Sequence, residues 1–577
     1  MGEGSTGLNE SLPATQPVEV LGNAFKRVAA LTRGRLLVVA STLLFAIPAL
    51  VDLSSNPLRA PFRWLAADTF YYLTVSRNIA RHGRFAYDGE HASNGFQPVW
   101  QLWGGLLELL RERLSLGQVG PLLLVLSGVV AVAAAIWLLG MTLLKARRLS
   151  LLFLGLPVGL YAVMVLPAWM VGLRAIAAHG LWSWFLPVFG SLWSYVNGME
   201  SALVILFFAL ALYAAVVGRA LSSAPRAAVF GASLAGITLA RLDHGVIAAS
   251  LLVGFALASA RARARAPQRV LQAAGTFGAL VAPVLALNWH LFGNAVPLSG
   301  VAKSSFPQLN TDNVRLLSLL FHGSPSWRPE ATDSHWWLHV ACRQLQTIVP
   351  ACLCLAYALS CLVRRRSNLL RTLLASAACG AVLLAAYNFC FTKGEDQGFW
   401  YYPVSTLLPT LFLLAEPWPP VRLAPPMRVA LAVLLGTLVI AFFGNWQRHR
   451  RYNEGFQAVV LEAGEKARKF YGGHLPKIIE VDDGAVGYGL DTPAMSSFLA
   501  LDPEGFRALK QGKLLDLALA RGFDRVASSW YRPGGTEPAE LAAWVGASLR
   551  QDVSAYRFER EFATDDGQLL IVRVYRR

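Results

Sequence analysis

Long apolar runs recur along most of the chain and are separated by short polar connections. A helix rises about 1.5 Å per residue and the hydrocarbon core of a bilayer is roughly 30 Å thick, so runs near 20 residues predict membrane-crossing helices. The pattern predicts about eleven spans, at residues 35–53, 120–144, 150–171, 199–218, 227–240, 243–260, 270–291, 344–363, 369–391, 401–415 and 427–444. The runs at 227–240 and 243–260 would also fit a re-entrant pair.

The sequence changes character from about residue 450 onward. Long apolar runs stop, "KIIEVDD", "DRVASSW" and "QLLIVRVYRR" predict strands, and "FRALKQGKLLDLALAR" predicts one amphipathic helix. The expected fold class is therefore mainly α: a cytoplasmic segment at 1–34, a polytopic membrane domain at 35–449 and an extracytoplasmic α/β domain at 450–577, here called the tail. No nucleotide-binding or nucleophile-elbow motif occurs in the tail, which favours a capping or acceptor-binding role.

Composition agrees with a membrane protein. Of 577 residues, 55% are hydrophobic and 15% are charged, whereas soluble domains carry about 25% charged residues. The six cysteines lie in or beside apolar runs without metal-site spacing, so we expect buried free thiols.

The net charge of +17 is concentrated in short connections between spans. If the N-terminus is cytoplasmic, every short basic connection falls on the cytoplasmic side, as the positive-inside rule requires. These connections hold Lys26, Arg27, Arg33 and Arg35; Lys145, Arg147 and Arg148; Arg219 and Arg226; Arg261, Arg263, Arg265 and Arg269; Arg364, Arg365, Arg366 and Arg371; Arg422 and Arg428. The charge therefore predicts contact with anionic membrane lipids rather than with nucleic acid. The first span is expected to act as an uncleaved signal.

The first loop, residues 54–119, is predicted on the outer side and carries two interfacial helices, which are expected to lie along the membrane surface. "DTFYYLTVSRNIARHG" has helical periodicity, and a second helix is expected at roughly Val99 to Glu112, after Pro98. Asp68 precedes the first helix, where an aspartate is favoured as an N-cap. A role in chemistry is the alternative for this side chain.

Several ordered motifs resemble the GT-C superfamily of bacterial polytopic glycosyltransferases. The first loop supplies "ADTFYYL", "SRN", "HGRFAYDG" and "SNGFQPVW", and the chain continues with "NGMESAL", "LARLDHG", "FGNAVPLSGVAKSS" and "WYYP". The resemblance spans residues 68 to about 403. It implies a multi-pass enzyme of the bacterial inner (plasma) membrane, acting in cell-envelope glycan biosynthesis and independent of a cofactor. Such enzymes transfer a sugar from a polyprenyl-phosphate donor to a glycan, lipid or protein acceptor on the outer side.

In this family an acid of the first outer loop acts as the general base, commonly with inversion at the anomeric carbon. Asp68 is the retained acid here, and Ala67 occupies the position that usually carries the first acid of the motif. Because of this departure, one alternative interpretation is that the protein is a non-catalytic relative that binds a glycolipid. A transporter or flippase of a lipid-linked saccharide is the other alternative, although it would place acids and cations near the membrane midplane.

The leaving phosphate requires cations, for which Lys303 is the first candidate and Arg241 the second. Lys303 could instead be an interfacial lysine, and Arg241 could form a structural ion pair with Asp243. The candidates for contact with the sugar or acceptor are Asn94, Glu200, Asp243, His244, Trp400 and Tyr401. The two aromatic residues could equally be membrane-interface residues.

A divalent cation is a weaker expectation. Glu395 and Asp396 could hold one with Asp68, because hard cations prefer oxygen ligands. Two adjacent acids in a loop are more often simply solvated.

Overall fold

The computed structural model describes most of the chain between residues 16 and 577. The described residues are 16–66, 68–116, 119–156, 193–260, 266–311, 313, 334–363, 368–392, 401–416, 424–427, 429, 433, 436, 461–472, 474–480, 484–496, 502–530, 551–563 and 571–577.

These residues are mainly helical, and a small sheet lies near the C-terminus. The helices are α1 Gln16–Ser55, α2 Thr69–His82, α3 Pro98–Arg113, α4 Gly120–Lys145, α5 Trp193–Val196, α6 Ser201–Val216, α7 Ala224–Ala240, α8 Gly245–Ala260, α9 Ala266–Phe292, α10 Leu298–Lys303, α11 Ser334–Val363, α12 Leu369–Phe391, α13 Pro403–Ala415, α14 Ala485–Leu490, α15 Pro503–Lys510 and α16 Leu514–Ala520. The strands are β1 Ile478–Glu480, β2 Ala494–Ser496, β3 Arg525–Trp530, β4 Arg557–Ala563 and β5 Ile571–Arg576.

Five helical segments of the described chain are long and apolar enough to cross a membrane. They are Leu31–Ser55, Gly120–Lys145, Leu242–Ala260, Pro267–Phe292 and Leu369–Phe391. Shorter apolar helices lie at Ser201–Val216, Ala224–Ala240, Thr347–Val363 and Pro403–Ala415. The predicted spans at 150–171 and 427–444 lie largely outside the described residues, so the structure supports a helical membrane protein without establishing eleven crossings.

The apolar helices pack into a bundle that includes pairs distant in the sequence. α4 packs on α6, α6 on α7, α7 on α9, and α8 on α12. Their contact faces are rich in alanine and glycine, which lets helix backbones approach closely. The cysteine expectation is only partly correct, because Cys354 is buried whereas Cys352 and Cys379 are exposed on helix surfaces.

The two helices predicted in the first loop are present and pack against each other. Every residue from Thr69 to Ser76 of α2 is buried, because α3 covers one side and α14 of the tail packs on another. α2 ends where Gly83 adopts a left-handed conformation. The first half of α2 is therefore enclosed by α3 and the tail.

The tail contains a five-stranded sheet in the order β2-β1-β3-β5-β4. β2, β1 and β3 run parallel, and β5 pairs antiparallel with both β3 and β4. The prediction of a single helix from "FRALKQGKLLDLALAR" is wrong, because this segment forms two helices. It is divided into α15 and α16 because Gly512 adopts φ +64°, a conformation that interrupts a right-handed helix.

A segment between two apolar helices inserts into the tail. Leu298 of α10 is 1% exposed and belongs to the same apolar cluster as Ile479, Met495 and Phe506 of the tail. The backbone N–H of Leu298 donates to the carbonyl of Asn94 at 2.7 Å. The tail thus contacts both the first loop and α10.

Candidate functional site

Six parts of the chain line one pocket. They are the start of α2, the "NGFQ" turn before α3, the start of α6, the end of α7, α10 and Tyr401, which lies two residues before α13. The lining residues are Asp68, Tyr71, Tyr72, Gly95, Phe96, Gln97, Met199, Glu200, Arg241, Ser299, Lys303 and Tyr401. This set is here called the Asp68 pocket.

Asp68 occupies the N-cap position of α2, but its side chain does not cap the helix. Asp68 is half-buried, and its carboxylate has no hydrogen-bond or ion-pair partner among the described residues. A capping role would require a bond to the backbone N–H of the second or third helical residue. Of the two interpretations of Asp68, the structure therefore disfavours the structural cap and leaves a carboxylate in the pocket.

A chain of buried charges forms the floor of the pocket. Arg241 pairs with Glu200 and also donates from Nε to Asp243 at 3.0 Å. Glu200 and Arg241 are 1% and 4% exposed, whereas the side chain of Asp243 is 27% exposed. The Nδ1 atom of His244 lies 2.8 Å from Asp243, and its buried Nε2 has no partner among the described residues. The ion pair that the sequence left open for Arg241 and Asp243 is present, and Glu200 is a further partner.

Tyr72 and Gln97 are pocket residues that the sequence analysis did not select. The hydroxyl of Tyr72 lies 3.3 Å from Glu200 and accepts from the backbone N–H of Gln97. The side chain of Gln97 accepts from the backbone N–H of Leu242, beside Arg241. Burial raises the pKa of Tyr72 and the charge of Glu200 adds to the shift, so the phenol stays protonated and donates to Glu200.

The spacing along α2 offered a signal for Tyr72. Tyr72 follows Asp68 by four residues, and positions i and i+4 share one face of a helix. Gln97 lies within the "SNGFQPVW" motif, but its contact with Leu242 depends on the fold of the first loop.

Lys303 and Tyr401 also line the pocket and contact each other. The ammonium of Lys303 donates to the hydroxyl of Tyr401 at 3.1 Å, and the guanidinium carbon of Arg241 lies 3.9 Å from the centre of the Tyr401 ring. Two cations therefore converge on one aromatic residue, which can hold both through cation–π attraction and hydrogen bonding.

Most of the site residues expected from the sequence are brought together. Five of them line the Asp68 pocket: Asp68, Glu200, Arg241, Lys303 and Tyr401. Asp243 and His244 adjoin it through Arg241, and Asn94, buried beside Gly95, has an Nδ2 atom without a described partner. Ala67, Glu395, Asp396 and Trp400 lie outside the described residues.

The described residues contain no group of three or more His, Cys, Asp or Glu side chains that could hold a metal ion. The metal expectation involved Glu395 and Asp396, which the structure does not describe, so it stays a prediction.

The Asp68 pocket combines a carboxylate that can accept a proton with cations that can receive an anion. Asp68 lacks a described partner, whereas Glu200 is engaged by Arg241 and Tyr72. Lys303 and Arg241 supply positive charge in the same cavity. This arrangement suits a reaction that removes a proton from a hydroxyl while negative charge develops on a leaving group.

No family model matches the chain, and no curated protein matches it.

Proposed function

We propose that the protein is a GT-C-type glycosyltransferase that moves a sugar from a polyprenyl-phosphate donor to an acceptor hydroxyl on the outer face of the membrane. The observation that carries the proposal is the half-buried Asp68 carboxylate, without a described partner, in one pocket with Lys303 and Arg241. Segments far apart in the sequence supply these three residues, and each segment carries one of the motifs that resemble the family.

Asp68 is the general base of the proposed reaction. Its carboxylate takes the proton of the acceptor hydroxyl as the hydroxyl oxygen attacks the anomeric carbon of the donor. The new carbon–oxygen bond forms opposite the phosphate, so the configuration inverts, and the bond to the phosphate oxygen breaks with its electron pair. This role requires a carboxylate that is not engaged by a neighbouring side chain, and the Asp68 carboxylate has no partner among the described residues.

Lys303 and Arg241 stabilise the departing phosphate. A cation already fixed beside the leaving group lowers the barrier without reorganising during the reaction. Glu200 and Asp243 hold Arg241 from two sides, and Tyr401 contacts both cations. The lipid part of the donor would remain among the apolar helices, and only its phosphate and sugar would enter the pocket.

Donor turnover tests the proposal. Purified protein is incubated with radiolabelled polyprenyl-phosphate sugars that differ in the sugar, together with an envelope-glycan extract as acceptor, and the loss of lipid-linked label is followed. We expect the wild type to consume one donor and Asp68→Asn to lose at least about 100-fold in rate, since general base catalysis contributes roughly 10²–10⁴-fold. Glu465→Gln, which alters an exposed acid outside the pocket, is the matched control and should retain wild-type turnover.

Three results would contradict the proposal. Equal turnover by wild type and Asp68→Asn would remove Asp68 from the chemistry. Tight donor binding without consumption of any donor would favour the non-catalytic glycolipid-binding relative, and ATP-independent movement of labelled lipid between leaflets would favour a flippase.

A further inference from the structure

A second cavity lies between the first loop and the tail, further along α2 than the Asp68 pocket. Its volume is about 550 Å³, within the range of about 300–1,000 Å³ typical of small-molecule sites. The lining residues are Thr74, Arg77, Asn78, Arg81, His82, Arg84, Tyr87, Asp88, Gly89, Glu90, Gly487, Asp491, Thr492 and Pro493. This cavity is here called the polar cleft.

The lining of the polar cleft contains charges of both signs in equal number. Three arginines and three carboxylates line it, and Asp491 lies between Arg77 and Arg81, at 2.5 and 3.1 Å from their nitrogens. Burial alone would raise the pKa of Asp491, but Arg77 and Arg81 outweigh that effect and lower it, so this carboxylate is ionised near neutral pH. Glu90 pairs with Lys477 at 3.0 Å at the rim.

This balance disfavours an anionic ligand. A phosphate in the cleft would meet carboxylates as well as guanidinium groups, and like charges at close range repel. A neutral ligand with many hydroxyl groups fits both kinds of side chain, because each hydroxyl can donate to a carboxylate and accept from an arginine. A lining that contains both arginines and carboxylates therefore favours a neutral polyol over a lipid phosphate.

Two residues that line the cleft have polar side-chain groups without a hydrogen-bond partner among the described residues. The hydroxyl of Thr74 is buried and has no hydrogen-bond partner among the described residues. Arg84 is exposed and likewise has no partner within the described part of the chain. Arg84 therefore offers donors to a ligand in the cleft, whereas the hydroxyl of Thr74 is enclosed by protein and does not face the cavity.

The polar cleft adjoins the Asp68 pocket through two tyrosines. Tyr71 lines the pocket and Tyr87 lines the cleft, and their ring centres are 5.2 Å apart. Thr74 follows Asp68 by six residues on α2, which corresponds to about 9 Å along the helix axis. The two cavities therefore lie side by side along α2, separated by this pair of rings, so a glycan in the cleft is close to Asp68.

We infer that the polar cleft binds a neutral oligosaccharide, the acceptor of the sugar transfer. This inference rests on the proposed function for its role as acceptor, but binding itself is independent of the reaction. It narrows the acceptor class from a glycan, lipid or protein to a neutral glycan of several units. The tail is then part of the acceptor site rather than only a cover for the membrane domain.

Direct binding tests the inference without any donor. Purified protein in nanodiscs is titrated with fluorescent neutral tri- and tetrasaccharides of mannose, glucose, galactose and arabinose. Galacturonic acid trisaccharide and inorganic pyrophosphate serve as anionic probes. We expect one neutral series to bind and the anionic probes to bind at least tenfold more weakly. Arg84→Ala should weaken neutral binding about tenfold, whereas Arg507→Ala, which removes an exposed arginine of the tail outside the cleft, should not change it.

Asp491→Asn tests the charge balance. Asn tolerates the left-handed backbone of Asp491, which has φ +52°, so the turn is preserved while the negative charge is lost. We expect this variant to bind pyrophosphate several-fold more tightly and the neutral glycan more weakly.

The inference and the proposed function fail in different ways. Donor turnover with no neutral glycan bound, or glycan binding that Arg84→Ala leaves unchanged, would overturn the inference while the enzyme proposal stands. Pyrophosphate that binds wild type more tightly than every neutral glycan would also overturn it. Neutral glycan binding that depends on Arg84, in a protein that consumes no donor, would support the cleft and contradict the enzyme.

Discussion

At the residue scale, Asp68 and Glu200 differ in their partners: one carboxylate has none among the described residues, and the other forms a buried ion pair. Both acids line the same pocket, but Glu200 is buried against Arg241 and Tyr72 whereas Asp68 has no described partner. The sequence analysis selected both acids, Asp68 as the candidate general base and Glu200 as a candidate for contact with the sugar or acceptor, but it did not predict the ion pair of Glu200 with Arg241. Their roles depend on neighbours more than 40 residues away in the sequence, and no local pattern encodes such neighbours.

The buried Glu200–Arg241 pair leads to a stability prediction. Removing one partner of a buried ion pair leaves an uncompensated charge and typically costs 3–5 kcal/mol. We expect Glu200→Gln to lower the free energy of unfolding by about 3 kcal/mol, at the low end of that range because Asp243 still pairs with Arg241. Asp243→Asn should cost about 1 kcal/mol, since Asp243 is partly exposed. Thermal unfolding in detergent measures both variants, and equal shifts would contradict this ranking.

At the scale of elements, the sequence predicted the positions of helices better than it predicted which helices are buried. α2 and α3 occur where periodicity and Pro98 placed them, because local sequence determines helix propensity and helix ends. The burial of α2 could not be predicted, since its amphipathic pattern fits a membrane surface as well as a protein interior. The break between α15 and α16 was missed because a single Gly512 interrupts an otherwise regular apolar pattern.

The "NGMESAL" element fixes the start of α2 through Gly198. Gly198 has φ +77°, and an added Cβ would lie 2.5 Å from Cγ2 of Thr69 and 2.6 Å from Cδ2 of Leu65. We expect Gly198→Ala to destabilise the protein by about 2–4 kcal/mol through backbone strain and overpacking, and to displace Asp68. Thermal unfolding and donor turnover should both fall.

Gly278→Ala is the matched control for this prediction. No described atom lies within 4 Å of a Cβ added at Gly278, which lies within α9. An alanine there should leave stability unchanged or raise it by about 0.5–1 kcal/mol, as expected for a helix interior. A Gly198→Ala variant as stable as Gly278→Ala would show that the close approach does not constrain α2.

At the scale of the whole molecule, the tail packs against the first loop and α10 of the membrane domain. The strands of the tail were predicted in part from apolar alternation, whereas its contacts with the first loop and α10 were not. The hydroxyl of Tyr87 donates to the buried Glu480 at 2.6 Å across 393 residues of sequence. Burial raises the pKa of Tyr87 and the charge of Glu480 adds to the shift, so the phenol remains a donor. Contacts between residues so far apart depend on the folded topology, and no periodic pattern in the sequence predicts them.

Gly484 shows how the tail supports the first loop, and it allows a test of that support. Gly484 has φ +84°, and an added Cβ would lie 2.8 Å from the backbone nitrogen of Tyr71. Gly472 also has a positive φ, +58°, but no described atom lies within 4 Å of its added Cβ. Alanine at either position carries a backbone cost of about 1–2 kcal/mol, and only Gly484→Ala also forces the tail away from α2.

Hydrogen exchange distinguishes the two glycine variants. Amides of residues 69–82 should exchange faster in Gly484→Ala than in Gly472→Ala, because the covering of α2 by α14 is loosened only in the first. Donor turnover should fall in parallel, since Tyr71 lines the Asp68 pocket. If both variants protect residues 69–82 to the same degree, the tail does not hold the first loop in place. Asp68 would then depend on the helical bundle alone for its position.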